Sequence, residues 1–134
     1  MIIKEICAAL DELAPEYFAE DFDNVGLIVG DAHQEVNKAL ITLDTTEAVV
    51  DEAIEKDCAL IISFHPIIFK GLKRLNPTDY VSRAVIKAIK NDIGIYATHT
   101  ALDNIHKGTN RSMADQLDLK NCEILVPKPA SIKK

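Results

Sequence analysis

The sequence predicts an α/β fold: a mostly parallel sheet in a three-layer sandwich, with helices on both faces. Three observations carry that reading. Strand-sized apolar runs at 38–44, 59–62 and 93–97 alternate with stretches of helical periodicity. The runs are continuous rather than alternating, as strands buried on both faces should be. Each run also gives way abruptly to polar residues: Asp44 closes the first, and Ser63, His65 and Pro66 follow the second. Thr98 and His99 follow the third.

Taken in order, Ile3, Ile6, Cys7, Leu10 and Leu13 recur at helical spacing, and Pro15 ends that first helix. Residues 15–24 form an acidic loop with Tyr17, Phe18 and Phe22 as anchors, and 24–31 read as a short strand flanked by glycines. The strand at 38–44 leads to Thr45 or Thr46, either of which can cap a helix that carries Glu47 in its first turn. That helix runs to about Lys56 and buries Val49, Val50, Ala53 and Ile54. After the strand at 59–62, Pro66 can neither donate to a ladder nor leave His65 helical, so the histidine sits on a sharp loop. A helix at 80–90 turns Val81, Ala84, Val85, Ala88 and Ile89 inward, and the strand at 93–97 follows. A last helix is expected at 111–117 and one more strand at 123–126. Residues 1–126 thus read as one α/β domain, and 127–134, PKPASIKK, as a linker or the truncated start of a further half.

Composition narrows the classes of function. The formal net charge is −6, and nucleic-acid-binding domains usually present a basic face, so no nucleic-acid partner is expected. No apolar run approaches the roughly 20 residues that cross a bilayer. The N-terminus mixes Lys4, Glu5, Asp11 and Glu12 into its apolar pattern, unlike a signal peptide. The expectation is a cytoplasmic protein with no membrane partner. Cys7, Cys58 and Cys122 lie far apart without a C-x-x-C pair, which fits reduced thiols packed in apolar surroundings.

Right-handed crossovers put the ends of parallel strands on one edge of the sheet, where ligands bind in open α/β folds. Asp44, His65, His99 and Asp103 gather there. Nitrogen and oxygen donors without thiolates suit zinc, iron or manganese better than calcium. A bound ion would bring the pKa of its water to near 7 and make a hydrolytic nucleophile. The same residues have a plainer reading, in which Asp44 caps a helix, His99 bonds backbone and Asp103 caps a turn. Lys70, Lys73 and Arg74 read as solvated surface, with Lys70 the candidate contact for an anionic substrate near His65.

Three segments stand in the order and spacing of a known family. They are Asp23-Asn24-Val25-Gly26-Leu27, His65-Pro66-Ile67-Ile68-Phe69 and His99-Thr100-Ala101-Leu102-Asp103. The chain resembles the Nif-three-like family, also described as GTP cyclohydrolase 1 type 2 homologues or dinuclear metal-centre proteins. The resemblance runs from the first helix to Leu125-Val126-Pro127. It implies an α/β fold of that type, metal-dependent hydrolase-like ancestry and self-association, often as a ring-shaped homohexamer. It also implies His65 and Asp103 as ligands of a divalent ion and His99 as a histidine lining the same pocket, cast here as the catalytic proton carrier. Two departures stand out. The family motif has paired histidines where this chain has Phe64 before His65. Members are also about twice this length, and their later half completes the site. The expectation is therefore partial metal occupancy and an isolated chain without activity; the alternative is a non-enzymatic metal-binding or regulatory module.

Overall fold

A computed structural model of the chain describes residues 1–126, so the linker expected at 127–134 lies outside the described residues. Four strands form one sheet in the order β1-β4-β3-β2: β1 (Gly26–Val29), β2 (Ala39–Thr42), β3 (Leu60–Ser63) and β4 (Gly94–Ala97). β2, β3 and β4 are parallel, with Ala39 opposite Leu60 and Leu60 opposite Gly94; β1 joins β4 antiparallel. The parallel core follows the crossover helices α2 (Glu47–Glu55) and α3 (Tyr80–Lys90). β1 runs antiparallel to the other three, so its connection to β2 needs no crossover helix.

Each strand presents alternate residues to two separate cores. Ile61 and Ile95 pack with Val50, Ala53, Ala84, Val85 and Ala88 of α2 and α3. Leu60, Ile62 and Tyr96 turn the other way, against Ile3, Ile6, Cys7 and Leu10 of α1 (Ile3–Leu13). Helix, sheet and helix are the three layers expected. All four residues of β4 are buried, as a central parallel strand requires. Where β1 leaves β4, Gly30 adopts φ +109°, and a Cβ there would come within 2.8 Å of the Gly94 Cα. Glycine at both positions lets the two backbones meet.

The helices start where their caps dictate. Thr46 accepts the Val49 amide at 3.3 Å and Asp79 accepts the Ser82 amide at 2.9 Å. Asp44 does not cap α2. Arg83–Glu47 (2.8 Å) and Lys87–Asp51 (2.7 Å) tie α3 to α2 across the outer surface.

Five expectations are corrected. Residues 123–126 form no strand, and Ile124, Leu125 and Val126 are exposed with no ladder to join. Ile54 and Ile89 fall at the solvent margin of their helices rather than in the core. Cys122 is exposed, whereas Cys58 is buried. The aromatic anchors of the acidic loop, Tyr17 and Phe22, are largely exposed, so that loop is held by polar groups. The last helix, α5, spans Thr109–Gln116, and a short helix not foreseen, α4 (His99–Asp103), occupies the turn after β4. Among the described residues no helix is long and apolar enough to cross a membrane.

Candidate functional site

The ladder does not stop where the strands do. The Phe64 and His65 amides donate to Thr42 and Leu43 carbonyls at 3.1 and 3.0 Å. The Thr98 and His99 amides donate to Ser63 and Phe64 at 3.1 and 2.9 Å. The backbone of both histidines is therefore fixed by the sheet itself. Their rings meet edge to face with centroids 5.4 Å apart. Phe64 packs against both, at 5.0 Å from His65 and 5.5 Å from His99, and Phe69 adds an edge at 6.2 Å from His99.

Each histidine is oriented by an aspartate. His65 Nδ1 donates to Asp44 Oδ1 at 2.8 Å, and His99 Nδ1 donates to Asp23 Oδ1 at 2.8 Å. A carboxylate only accepts, so it selects the Nδ1–H tautomer and leaves Nε2 of the neutral ring with its lone pair. The two pairs differ in setting. Asp44 and His65 are about half exposed, whereas the Asp23 side chain is wholly buried and His99 is 19% exposed. Asp23 also accepts the Asn24 amide at 2.8 Å, the Thr100 amide at 3.1 Å and the Thr100 hydroxyl. Burial by itself pushes the Asp23 carboxyl up. The hydrogen bonds from His99 and Thr100, with those from the Asn24 and Thr100 amides, outweigh it and hold the group below its ordinary value.

These bonds also explain how the acidic loop reaches the sheet edge. Asn24 Nδ2 donates to the Ile68 carbonyl at 2.6 Å, and the Glu20 amide donates to Thr100 Oγ1 at 3.0 Å. Asn104 Nδ2 donates to the Phe18 carbonyl at 2.9 Å. Loop 16–24 is thus tied to α4 and to the loop after His65. His99 itself opens α4 with φ 27°, a conformation uncommon for a non-glycine residue, held between the sheet and Asp23.

Of the residues singled out from the sequence, Asp44, His65 and His99 come together. Asp103 is half-buried at the last residue of α4, one turn beyond His99 and on the same face of that helix. Its carbonyl accepts Asn110 Nδ2 at 3.0 Å across the α4–α5 turn. Gly108 makes that turn possible, since a Cβ there would lie 1.8 Å from the Leu102 carbonyl oxygen. Lys70 is exposed on the loop after His65. Asp23 was missed as a functional residue. The signal available was its place in the Asp23-Asn24-Val25-Gly26 segment, but nothing local to that loop shows that it reaches a histidine 76 residues away.

The donor set fits part of a metal site. Two imidazoles oriented through Nδ1 by carboxylates are the arrangement that metal-ligating histidines use. Yet among the described residues no three His, Cys, Asp or Glu side chains converge closely enough to hold an ion, and Phe64 sets a ring without donors beside both histidines. Among the described residues the donor set is thus partial.

Comparison with known proteins agrees on fold and family. The profile of Duf34/NIF3 (NGG1p interacting factor 3) matches residues 1–134. A GTP cyclohydrolase 1 type 2 homolog of Clostridium acetobutylicum is 38% identical over 131 residues, which cover 98% of this chain and 49% of that protein. The homolog of Bacillus subtilis is 37% identical over 92% of this chain and 33% of its own length. The chain therefore spans between a third and half of these relatives. Among solved structures, a Bacillus cereus protein related to NIF3 superposes with a TM-score of 0.90 at 39% identity, covering 96% of this chain and 35% of that one. Reduced HcgD from Methanocaldococcus jannaschii gives a TM-score of 0.83 at 30% identity, covering 90% and 48%.

Proposed function

The chain belongs to the Duf34/NIF3 family, and from that premise we propose that it is the N-terminal portion of a metal-dependent, hydrolase-like protein. It contributes part of a divalent-metal site. The observation that supports this is the pair of carboxylate-oriented histidines at the carboxyl edge of a parallel sheet, each keeping Nε2 free of its aspartate. His65 would hold the ion (zinc, iron or manganese), with Asp103 as an oxygen ligand, and residues outside 1–134 would supply the rest. Bound there, the ion would activate a water near neutral pH. His99 is the proton carrier, because Asp23 fixes its tautomer and leaves Nε2 to exchange a proton. Lys70 is the candidate contact for an anionic substrate. The relatives' name, GTP cyclohydrolase 1 type 2 homolog, makes a nucleotide the first substrate class to screen in the longer protein. The resemblance also implies self-association, as a homohexamer in full-length members, in the cytoplasm.

A second reading is favoured by Phe64. Its ring removes a donor and packs on both histidines, as in a binding or regulatory module whose metal site has lapsed.

Elemental analysis of protein purified without added metal separates the two. The parent chain should carry substoichiometric zinc, iron or manganese, and a His65→Ala, Asp103→Ala double variant should carry none. Metal-free parent protein would favour the lapsed-site reading. Equal metal in both would move the ion elsewhere.

A further inference from the structure

We propose that the groove between α1, the end of β2 and α5 binds a single-chain amphipathic anion, an apolar tail carrying one carboxylate or phosphate. The groove has a volume of about 530 Å³, within the range of small-ligand pockets. Leu13, Leu43, Phe64 and Leu102 line it. Leu13 and Leu43 are 59% and 60% exposed, so two of these four apolar side chains lack cover. Grouped in a concavity, such side chains mark a contact surface rather than a core.

The groove changes character at one end. Lys107 and Ser112 line it and also line a second cleft, of about 460 Å³, together with His106, Arg111 and Asp115. An apolar trough thus runs into a polar one across a shared wall. Arg111 is balanced by Asp115 at 2.8 Å. Lys107 has no carboxylate partner among the described residues. Among those residues it is also the one charged side chain lining the apolar groove, in a chain whose net charge is −6.

The same end suits an anion in two further ways. Gly108 caps α5 and offers no side chain to the first amides of that helix. Such amides attract negative charge. Thr109, in the groove wall, has a buried hydroxyl with no hydrogen-bond partner among the described residues. Buried hydroxyls are otherwise bonded, and an acceptor on the ligand would complete this one. A bare phosphate would leave Leu13 and Leu43 in water, and a neutral apolar molecule would leave Lys107 without a counter-charge. A molecule with both halves satisfies both ends. Phe64 lines the groove and packs on His65 and His99, so an occupant touches the ring against which both imidazoles rest. None of this rests on the metal reading, and binding is measured with a chelator present.

Calorimetric titration of the 134-residue chain in EDTA, with laurate and with dodecyl phosphate below their micelle concentrations, tests the site. Both should bind at a single site, and the tighter of the two identifies the head group. Lauryl alcohol, the tail alone, and inorganic phosphate, the head alone, should bind many-fold more weakly. Leu43→Asp, at an exposed position, should abolish binding, and Lys107→Ala should weaken it several-fold, with far-UV circular dichroism unchanged for both. Lys90→Ala, at the opposite edge of the sheet, should bind as the parent does. In heteronuclear correlation spectra the shifts should centre on the amides of Leu43, Phe64, Thr109 and Ser112. Failure of both amphiphiles to bind would overturn the proposal. So would binding that survives both groove variants, an alcohol that binds as tightly as laurate, or shifts centred elsewhere. Groove amides that shift when the unliganded protein is diluted would give the groove to a second copy and overturn it equally.

Discussion

Asp23 shows how much one buried carboxylate can organise. Removing it strands the His99 ring N–H, the Thr100 hydroxyl and two amides, so Asp23→Ala should cost roughly 2–3 kcal/mol in urea unfolding. Its folded pKa lies below the ordinary value of 3.8. A depressed pKa contributes stability that is present above the unfolded value and lost as pH falls through the folded one. Stability of the parent should therefore decline on acidification below about pH 4 more steeply than that of Asp23→Asn, which has no carboxyl to titrate there. Parallel acid limbs for the two proteins in unfolding titrations would remove Asp23 from this role. The histidines and Asp103 could be singled out from strand-end position and residue type, because that information is local. Asp23 could not, because its role depends on a loop folding back across the sheet edge, and the sequence of the loop reads only as acid and exposed aromatic.

At the scale of elements, the strands and long helices were legible because their periodicity and caps agree. The helix expected at 80–90 coincides with α3, bounded by the Asp79 cap. The expected strand at 123–126 was not formed, because Ile124, Leu125 and Val126 have the right composition but no neighbour. Strand propensity is at root a statement about packing on a sheet. α4 went unseen because five residues are too few to show a period. The turn after α4 carries its own test. A Cβ at Gly108 would clash with backbone at Leu102 rather than with a movable side chain. Gly108→Ala should thus destabilise by roughly 1–3 kcal/mol. It should also lower metal uptake, since Asp103 lies on the displaced side of that turn. An unchanged melting temperature would mean that the turn relaxes freely.

For the whole molecule, the layer order and the mainly parallel sheet followed from the alternation of strands and helices. The antiparallel entry of β1 did not, because an N-terminal strand with no crossover is free to join either way. The groove between α1 and α5 was equally hidden. It depends on where α1 crosses the sheet, a matter of tertiary packing that helical periodicity cannot report.

The continuation of the ladder beyond β3 and β4 has a kinetic consequence. The His65 and His99 amides are bonded to the neighbouring strand as the amides of the sheet interior are. Local fraying should not free them. In deuterium exchange they should open only with the sheet as a unit, at rates close to those of Ile61 and Ile95. The Glu20 amide, which donates to the Thr100 hydroxyl rather than to a strand of the sheet, should exchange sooner. Whatever approaches the two imidazoles would then meet a wall that does not move and, on one flank, a loop that opens on a shorter timescale.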